Sequence, residues 1–222
     1  MSQNPAAPIA NSSLIVIVLA FLVGACQGFD LQVPSVTATA LRGTFGLSAA
    51  QLGSFFSAAT LGVLFGAAGG GALSDRIGRK LTLALATFCF GVGSLATGWA
   101  TDLQMLFVSR LVTGIGMGAA FTNLIAITSE SVSPERRARA VAMVMAGMNI
   151  GGAIVCLLSA LTPSLTNWRL LYHGGGIAPL LMVPAILLLL PATRPDTRSA
   201  KQEKARIADL GARVAPPRHL FG

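Results

Sequence analysis

Six long runs of apolar residues, each nearly free of charged side chains, constrain this chain more than any other feature of its sequence. They lie at about 13–41, 49–73, 81–101, 103–129, 140–162 and 170–191. An α-helix needs about 20 residues to cross a hydrocarbon layer about 30 Å thick, and each run supplies that length. Gly, Ala, Leu, Val and Ile dominate the runs without alternating with polar residues, which favours helices over a membrane β-barrel. The sequence therefore predicts an all-α membrane protein with six transmembrane helices.

The composition and the ends of the chain fit this organisation. Hydrophobic residues make up 53% of the chain and charged residues only 11%, which is too apolar for a soluble domain. We expect a polar leader over 1–12, the six-helix domain over 13–191 and a charged cytoplasmic tail over 192–222. The N-terminus has no basic segment before its first apolar run, so that run is expected to stay as a helix and not to be removed as a signal peptide.

The basic residues are distributed unequally between the two sides of the predicted bundle. The loops after the second and fourth runs hold three basic residues each, the tail holds seven, and the opposite loops have only Arg42 and Arg169. Lys and Arg concentrate in cytoplasmic loops, so both termini are expected in the cytoplasm of a multi-pass protein of the cytoplasmic (inner) membrane. The net charge of +8 is then a topology signal, and no nucleic acid is expected as a partner.

The loop between the second and third runs is GGALSDRIGRK, from Gly70 to Lys80. An orientation signal needs only its basic residues and explains neither Asp75 nor the flanking glycines. A phosphate-binding P-loop is excluded, because Arg79 occupies the place of the glycine that precedes its lysine. The order of residues resembles the loop 2-3 signature of the major facilitator superfamily, GxLxDRxGR(K/R). Every fixed position is present, carried by Gly71, Leu73, Asp75, Arg76, Gly78, Arg79 and Lys80.

Further segments narrow the resemblance. LFVSRLVTGIGMGAA, from Leu106 to Ala120, looks like the span 4 signature of the same superfamily. GFDLQ, TNLIAITSE, ERRARAV and NWRLLYHGGGIAPLL resemble the aromatic acid/proton symporters, most of all the hydroxyphenylpropionate transporters. This resemblance implies a secondary active transporter that takes up small organic anions, in particular aromatic carboxylates, together with protons. It implies no cofactor, and it implies a lipid bilayer as the surroundings.

The resembling family has twelve spans in two halves, whereas this chain has six apolar runs. The resemblance therefore implies the N-terminal half, which needs a second six-helix half or a homodimer to work. The segment after Pro191 ends in VAPPRHLFG and reads as a truncated or frame-shifted product. A natural half-transporter and a remnant that does not transport are the alternatives.

The resemblance also implies that the signature loop is a gating latch. Gly71, Asp75, Arg76, Gly78, Arg79 and Lys80 would form it. Glu130, at the end of the fourth run, is the expected partner of Arg79. Ion pairs between moving halves can form in one conformation and break in another, as a two-state switch requires.

Two ionisable residues lie deep inside apolar runs. Each costs about 2.5–3.5 kcal/mol to insert, so such residues usually face a cavity or a partner. Asp30 lies about 16 Å from the outer end of its run and Arg110 about 12 Å from the outer end of the fourth, so the two share a depth. We expect an ion pair that couples the proton and binds the substrate. A purely structural pair is the alternative.

Two amides are further candidates for binding the substrate. Gln27 lies one turn before Asp30, where aromatic acid symporters usually carry a second acidic residue. Pro34 lies one turn after Asp30 and cannot donate to its carbonyl, which leaves a polar acceptor near the carboxylate. Asn149 lies near the middle of the fifth run.

Glycines four residues apart predict close contacts between helices, because they let two backbones approach. The sets are Gly62, Gly66 and Gly70 in the second run, Gly114 and Gly118 in the fourth, and Gly147 and Gly151 in the fifth. Glycine offers no chemistry to transport, so we interpret these sets as packing surfaces.

Other classes of membrane protein need residues that this sequence lacks. An intramembrane protease of the rhomboid type needs a GxSG serine, which is absent, so we predict that the chain is not an enzyme. The one Asn-Pro-Ala triplet, Asn4 to Ala6, falls in the leader, whereas an aquaporin-type channel needs two in half-helices. The three cysteines are scattered over three runs, so neither a disulfide nor a metal site is expected.

Overall fold

The computed structural model describes residues 9–161 and 167–191, with side chains from residue 13 onward. These residues form α1 (Ile9–Phe45), α2 (Ala49–Ile77), α3 (Arg79–Gly98), α4 (Leu103–Glu130), α5 (Arg137–Leu161) and α6 (Trp168–Leu189). A short 3₁₀ turn, Pro134–Arg136, precedes α5. All six helices are long and apolar enough to cross a membrane, and the described residues contain no strand. The predicted all-α class with six helices is confirmed, whereas the predicted tail over 192–222 and most of the leader lie outside the described residues.

Local residues explain where the helices begin. Ser48 and Gln51 form a capping box at the start of α2, and each side chain accepts a hydrogen bond from the backbone of the other. Asp102 accepts a bond of 2.8 Å from the Met105 N–H at the start of α4. Such side chains satisfy the N–H groups that the first turn of a helix leaves without partners.

One residue separates α2 from α3. Gly78 has φ 89°, in the left-handed region that glycine enters without a steric penalty, and its N–H donates to the Ser74 carbonyl at 2.9 Å. The two helices therefore reverse direction within a single residue. This tight junction places the charges of the signature loop at the ends of two helices.

Helix α4 is the centre of the bundle. It packs against α2 and α3, while α1 packs against α5 and α3 also packs against α6. The glycine sets lie where backbones touch: a Cβ on Gly66 would come within 2.0 Å of the Ile115 carbonyl oxygen, and one on Gly151 within 1.9 Å of the Ala25 oxygen. These glycines therefore set the distances between helices and, through them, the position of the polar residues of α1 and α4.

Two apolar clusters fill the interior, one toward each end of the bundle. The cluster toward the α2–α3 junction includes Leu19, Phe90 and Leu124. The cluster toward the opposite end includes Leu41 and Leu106. Four buried polar side chains lie between these clusters, at the middle depth of the bundle: Gln27, Asp30, Ser94 and Arg110.

The six helices are not equally enclosed. In the most apolar 18-residue segment of each helix, 61% of the residues are buried in α3 and in α4. The corresponding share is only 17% in α2 and 22% in α5. α2 and α5 therefore turn most of their apolar surface outward. Surfaces of this size need lipid or another protein against them.

Candidate functional site

A buried ion pair joins α1 to α4. Arg110 Nη1 donates to Asp30 Oδ2 at 3.1 Å, and the two side chains are 1% and 0% exposed. A charge taken out of water is costly unless an opposite charge and further hydrogen bonds compensate it. The structure thus brings together the two ionisable residues that were predicted to lie at the same depth.

Aromatic rings enclose the Arg110 guanidinium. Its carbon lies 5.8 Å from the ring centroid of Phe55 on α2 and 5.7 Å from that of Tyr172 on α6, within reach of cation–π attraction. Arg110 Nε is buried and has no hydrogen-bond partner among the described residues. A guanidinium has five N–H donors. The ion pair with Asp30 therefore leaves the Nε–H of Arg110 unused.

Ser94 on α3 contacts the other oxygen of the carboxylate. Its hydroxyl donates to Asp30 Oδ1 and also lies 3.2 Å from the Tyr172 carbonyl oxygen on α6. Sequence analysis missed both residues. A signal existed, since Ser94 is a hydroxyl in the middle of the third run and Tyr172 is the one tyrosine of the chain.

Hydroxyl groups continue the network on the side of the pair toward the C-terminal end of α1. Thr37 Oγ1 donates to the Val33 carbonyl at 2.8 Å and lies 3.4 Å from the Tyr172 hydroxyl. Helix α1 continues through Pro34, which has no N–H to offer the Asp30 carbonyl one turn earlier. The proline thus leaves an acceptor on the backbone next to the carboxylate.

The two amide candidates lie apart from the ion pair. Gln27 is buried, and its Nε2 donates to the Met117 carbonyl at 3.3 Å. This bond links α1 to α4 one turn before Asp30 along α1. Asn149 is exposed on the surface of α5. Their roles in binding stay predictions, because nothing bound to the protein tests them.

The signature loop makes the second ion pair. Arg79 Nη2 lies 2.6 Å from Glu130 Oε1 and joins the start of α3 to the end of α4, with the two side chains 31% and 51% exposed. Gly71, Asp75 and Arg76 are exposed, Lys80 is partly buried and Gly78 is buried. An exposed pair contributes below about 1 kcal/mol, so this contact can break at little cost.

Other polar groups of the spans serve packing. Asn123 Nδ2 donates to the Ala119 carbonyl at 2.8 Å and lies 3.5 Å from the Gly70 carbonyl on α2. His173 packs against Trp99, with the ring centroids 5.4 Å apart and the planes tilted by 51°. Over residues 9–161 and 167–191, no three His, Cys, Asp or Glu side chains are grouped so that they could hold a metal ion.

Comparison with known proteins identifies relatives over nearly the whole chain. The model of the Major Facilitator Superfamily matches residues 10–221. The 3-(3-hydroxy-phenyl)propionate transporter of Escherichia coli K12 is 40% identical over 216 residues, which are 97% of this chain and 52% of that protein. The 4-hydroxybenzoate transporter PcaK of Pseudomonas aeruginosa is 34% identical over 95% of this chain and 47% of its own length. A gallate transporter of Pseudomonas putida is also 34% identical, over 94% of this chain and 47% of its own length. The chain thus spans about half the length of the curated relatives it matches.

Solved structures share the fold. The proton:xylose symporter XylE bound to 6-bromo-6-deoxy-D-glucose superposes with a TM-score of 0.76 at 22% identity, over 83% of this chain and 46% of that one. The inward-open xylose transporter XylE from E. coli gives 0.73 at 20% identity, over 95% and 57%. At these identities the likeness concerns the arrangement of helices alone.

Proposed function

The chain belongs to the Major Facilitator Superfamily, and on that premise we propose that it forms one six-helix half of a proton-coupled transporter for small aromatic carboxylates. The observation that carries the proposal is the buried Arg110–Asp30 pair, whose guanidinium keeps a buried Nε without a partner in the described part of the chain. The relatives are transporters and not enzymes, and three of them are named for acids that combine an aromatic ring with a carboxylate.

The surroundings of Arg110 fit such a substrate. A carboxylate can accept two parallel hydrogen bonds from a guanidinium, which fixes its orientation as well as its position. Phe55 and Tyr172 flank the guanidinium and offer ring faces and edges to the aromatic part of the ligand. In this arrangement Arg110 recognises the charge and the two rings recognise the aromatic group. Arg110 is 1% exposed, so the substrate enters only when the bundle opens.

Asp30 is the proposed proton site. While it is ionised, it occupies Arg110. When Asp30 is protonated, Arg110 loses its counter-charge, and a substrate carboxylate can replace it. Proton and anion would then bind cooperatively, because each removes an obstacle to the other.

The proposed binding surface includes the two amides. Gln27 lies one turn from Asp30 and could contact the substrate in a conformation that frees its amide from the Met117 carbonyl. Asn149 is exposed on α5 and could reach the substrate from that side. Neither residue is needed for the ion-pair exchange itself.

The signature loop is the proposed latch. Arg79 and Glu130 make an exposed pair that can break and re-form at little cost, as a gate that opens in every cycle requires. Gly71, Asp75, Arg76, Gly78 and Lys80 complete the loop and place its charges at the α2–α3 junction. Asp75 and Arg76 are exposed, so they can pair with charges of a second half.

A second six-helix half is the proposed partner. α2 and α5 expose most of their apolar surface, and the chain spans about half the length of its curated relatives. Binding sites of such transporters form between two repeats. A homodimer of this chain is the alternative partner.

Reconstitution tests the proposed function. The purified chain in liposomes, given radiolabelled 3-(3-hydroxyphenyl)propionate and an inside-alkaline pH gradient, is expected to accumulate nothing. Co-reconstitution with the part of the E. coli relative that this chain does not match is expected to give accumulation that a protonophore abolishes. That part of the relative alone is the control. Accumulation by the chain alone would overturn its status as a half, and no accumulation in any mixture would overturn the transport activity.

Cysteine labelling tests the proposed orientation. Ser133 and Thr101 are both exposed but lie at opposite ends of the bundle. In a chain whose three native cysteines are replaced, Thr101→Cys should react with an impermeant maleimide in intact cells. Ser133→Cys should react only after the cells are permeabilised, because the basic loops are expected in the cytoplasm. The opposite labelling pattern would place both termini outside.

A further inference from the structure

The Ser94 hydroxyl lies between two acceptors on two different helices. It donates to Asp30 Oδ1 on α1, and it is also 3.2 Å from the backbone carbonyl of Tyr172 on α6. Ser94 itself is fully buried. A hydroxyl carries a single proton, so it can donate to only one of these two oxygens at a time.

The charge of Asp30 decides which acceptor receives that proton. An ionised carboxylate only accepts hydrogen bonds, so Ser94 donates to Oδ1 while Arg110 donates to Oδ2. A guanidinium has no acceptor, and a proton that arrives at Asp30 therefore cannot be placed between Oδ2 and Arg110. Oδ1 faces the Ser94 hydroxyl, whose oxygen can accept the new O–H, so the proton is placed on Oδ1.

Protonation at Oδ1 reverses this hydrogen bond. The new O–H donates to Ser94 Oγ, and the Ser94 proton must then turn to its second neighbour, the Tyr172 carbonyl. We propose that Ser94 is a positioning residue that reports the protonation state of Asp30 to α6 by switching its hydroxyl between Asp30 and the Tyr172 carbonyl. This inference rests on the proposed function, in which Asp30 takes up the proton. The proton on Asp30 comes from solvent, Ser94 keeps its own proton and only rotates, and no other bond forms or breaks.

The packing of α3 against α6 holds Ser94 at this distance. A Cβ on Gly176 would lie 2.7 Å from the Gly91 carbonyl oxygen, so the two helices touch through their backbones one turn from the Ser94–Tyr172 contact. A Cβ on Gly175 would lie 3.2 Å from Asp30 Oδ1 and 3.3 Å from Ser94 Oγ, so the missing side chain leaves room for the exchange. The geometry thus favours rotation of one hydroxyl over movement of a helix.

Few charged groups can compete with this exchange. α4 offers Arg110, and α6 offers Tyr172, whose hydroxyl is directed to Thr37. α6 also carries Arg169, which donates to the Gly98 and Ala100 carbonyls, and His173, which packs against Trp99. α3 carries its basic residues, Arg79 and Lys80, at its start. α5 carries its charged residues only in its first turn, at Arg137 and Arg139. Among the described residues, Ser94 and Arg110 contact the Asp30 carboxylate through a hydrogen bond and an ion pair.

The single tyrosine of the chain makes the switch measurable. Growth on tyrosine labelled with ¹³C at the carbonyl marks one backbone carbonyl, that of Tyr172, in the infrared spectrum of the purified full chain. Acidification is expected to produce a protonated-carboxyl band that Asp30→Asn lacks. It should also shift the labelled carbonyl band by several wavenumbers to lower frequency, because this carbonyl gains a hydrogen bond. Ser94→Ala should abolish the shift, and Ser94→Thr, which keeps the hydroxyl, should restore it.

Each outcome decides a separate point. If the Asp30 band appears but the labelled carbonyl does not shift, or shifts equally in Ser94→Ala, the switch is overturned and Asp30 remains the proton site. If no Asp30 band appears at any pH at which circular dichroism shows a folded chain, the proposed proton site is overturned and the switch with it. Ser94→Thr is the control for a structural change in Ser94→Ala. It also replaces Ser94 but keeps the hydroxyl on which the expected shift of the labelled carbonyl band depends.

Discussion

Replacing Arg110 with methionine is expected to lower the free energy of unfolding of the purified chain by about 3–5 kcal/mol. The change leaves the Asp30 carboxylate, which is 0% exposed, with the Ser94 hydroxyl as its remaining partner. A buried charge without a counter-charge loses its hydration and gains little in return. Unfolding in mixed micelles with a rising fraction of denaturing detergent, followed by far-UV circular dichroism, measures the loss.

Two control variants separate the charge effect from lost packing. Asp30→Asn combined with Arg110→Met removes both charges, and the double variant is expected to recover most of the stability that the single variant loses. Arg79→Met breaks the exposed pair with Glu130 and should cost below about 1 kcal/mol. If the double variant is as unstable as Arg110→Met alone, the aliphatic and ring contacts of Arg110 stabilise the bundle and the ion pair does not.

The helical architecture was predictable because the membrane imposes a length on every crossing segment. Each apolar run is long enough to cross the bilayer, and each contains a helix in the structure. Helix ends were less predictable, since backbone hydrogen bonds and caps decide them. α1 continues past its apolar run to Phe45, and the Arg42 carbonyl then accepts the Leu47 N–H at 3.2 Å. Hydropathy carries no signal for such a contact.

Depth along a helix could be predicted, but rotation about its axis could not. The shared depth of Asp30 and Arg110 followed from counting residues at about 1.5 Å each, and the structure brings the two into contact. Gln27 precedes Asp30 by three residues, which leaves the two side chains about 60° apart around the helix. Gln27 also lies about 4.5 Å nearer the start of α1 than Asp30, and its amide reaches the carbonyl of Met117, about two turns along α4 from Arg110.

Packing glycines set the rotation of α5 in the same way. Gly147 and Gly151 press against the backbone of α1, and Asn149, two residues after Gly147, lies about 200° around the axis. Asn149 therefore turns outward. Ser94 was missed for the opposite reason, because buried hydroxyls occur throughout the spans and only the packing of α3 against α6 selects the one beside Asp30.

Replacing Asp30 with asparagine is expected to abolish accumulation driven by a pH gradient while leaving substrate exchange intact. The test uses the chain assembled with the complementary part of the E. coli relative. Asparagine keeps the size of the side chain and an oxygen that can accept from Ser94, but it binds no proton at physiological pH. Arg110 is then no longer occupied by a carboxylate, so it can bind substrate in the absence of protons. Exchange of labelled for unlabelled substrate in liposomes should continue, and net uptake against a concentration gradient should stop.

Arg110→Lys is the matched variant, because it keeps the charge and removes the planar fork of donors. Lysine presents a point charge that cannot make the two parallel bonds of a guanidinium. Loss of one bond to a charged group costs about 1.5–3 kcal/mol, so the half-saturating substrate concentration should rise about tenfold or more. The two variants thus separate the proposed roles of the pair: Asp30 couples transport to the proton, and Arg110 sets the affinity for the substrate. If Asp30→Asn still concentrates substrate fully under a proton gradient, Asp30 only neutralises Arg110, and the proton must bind another residue.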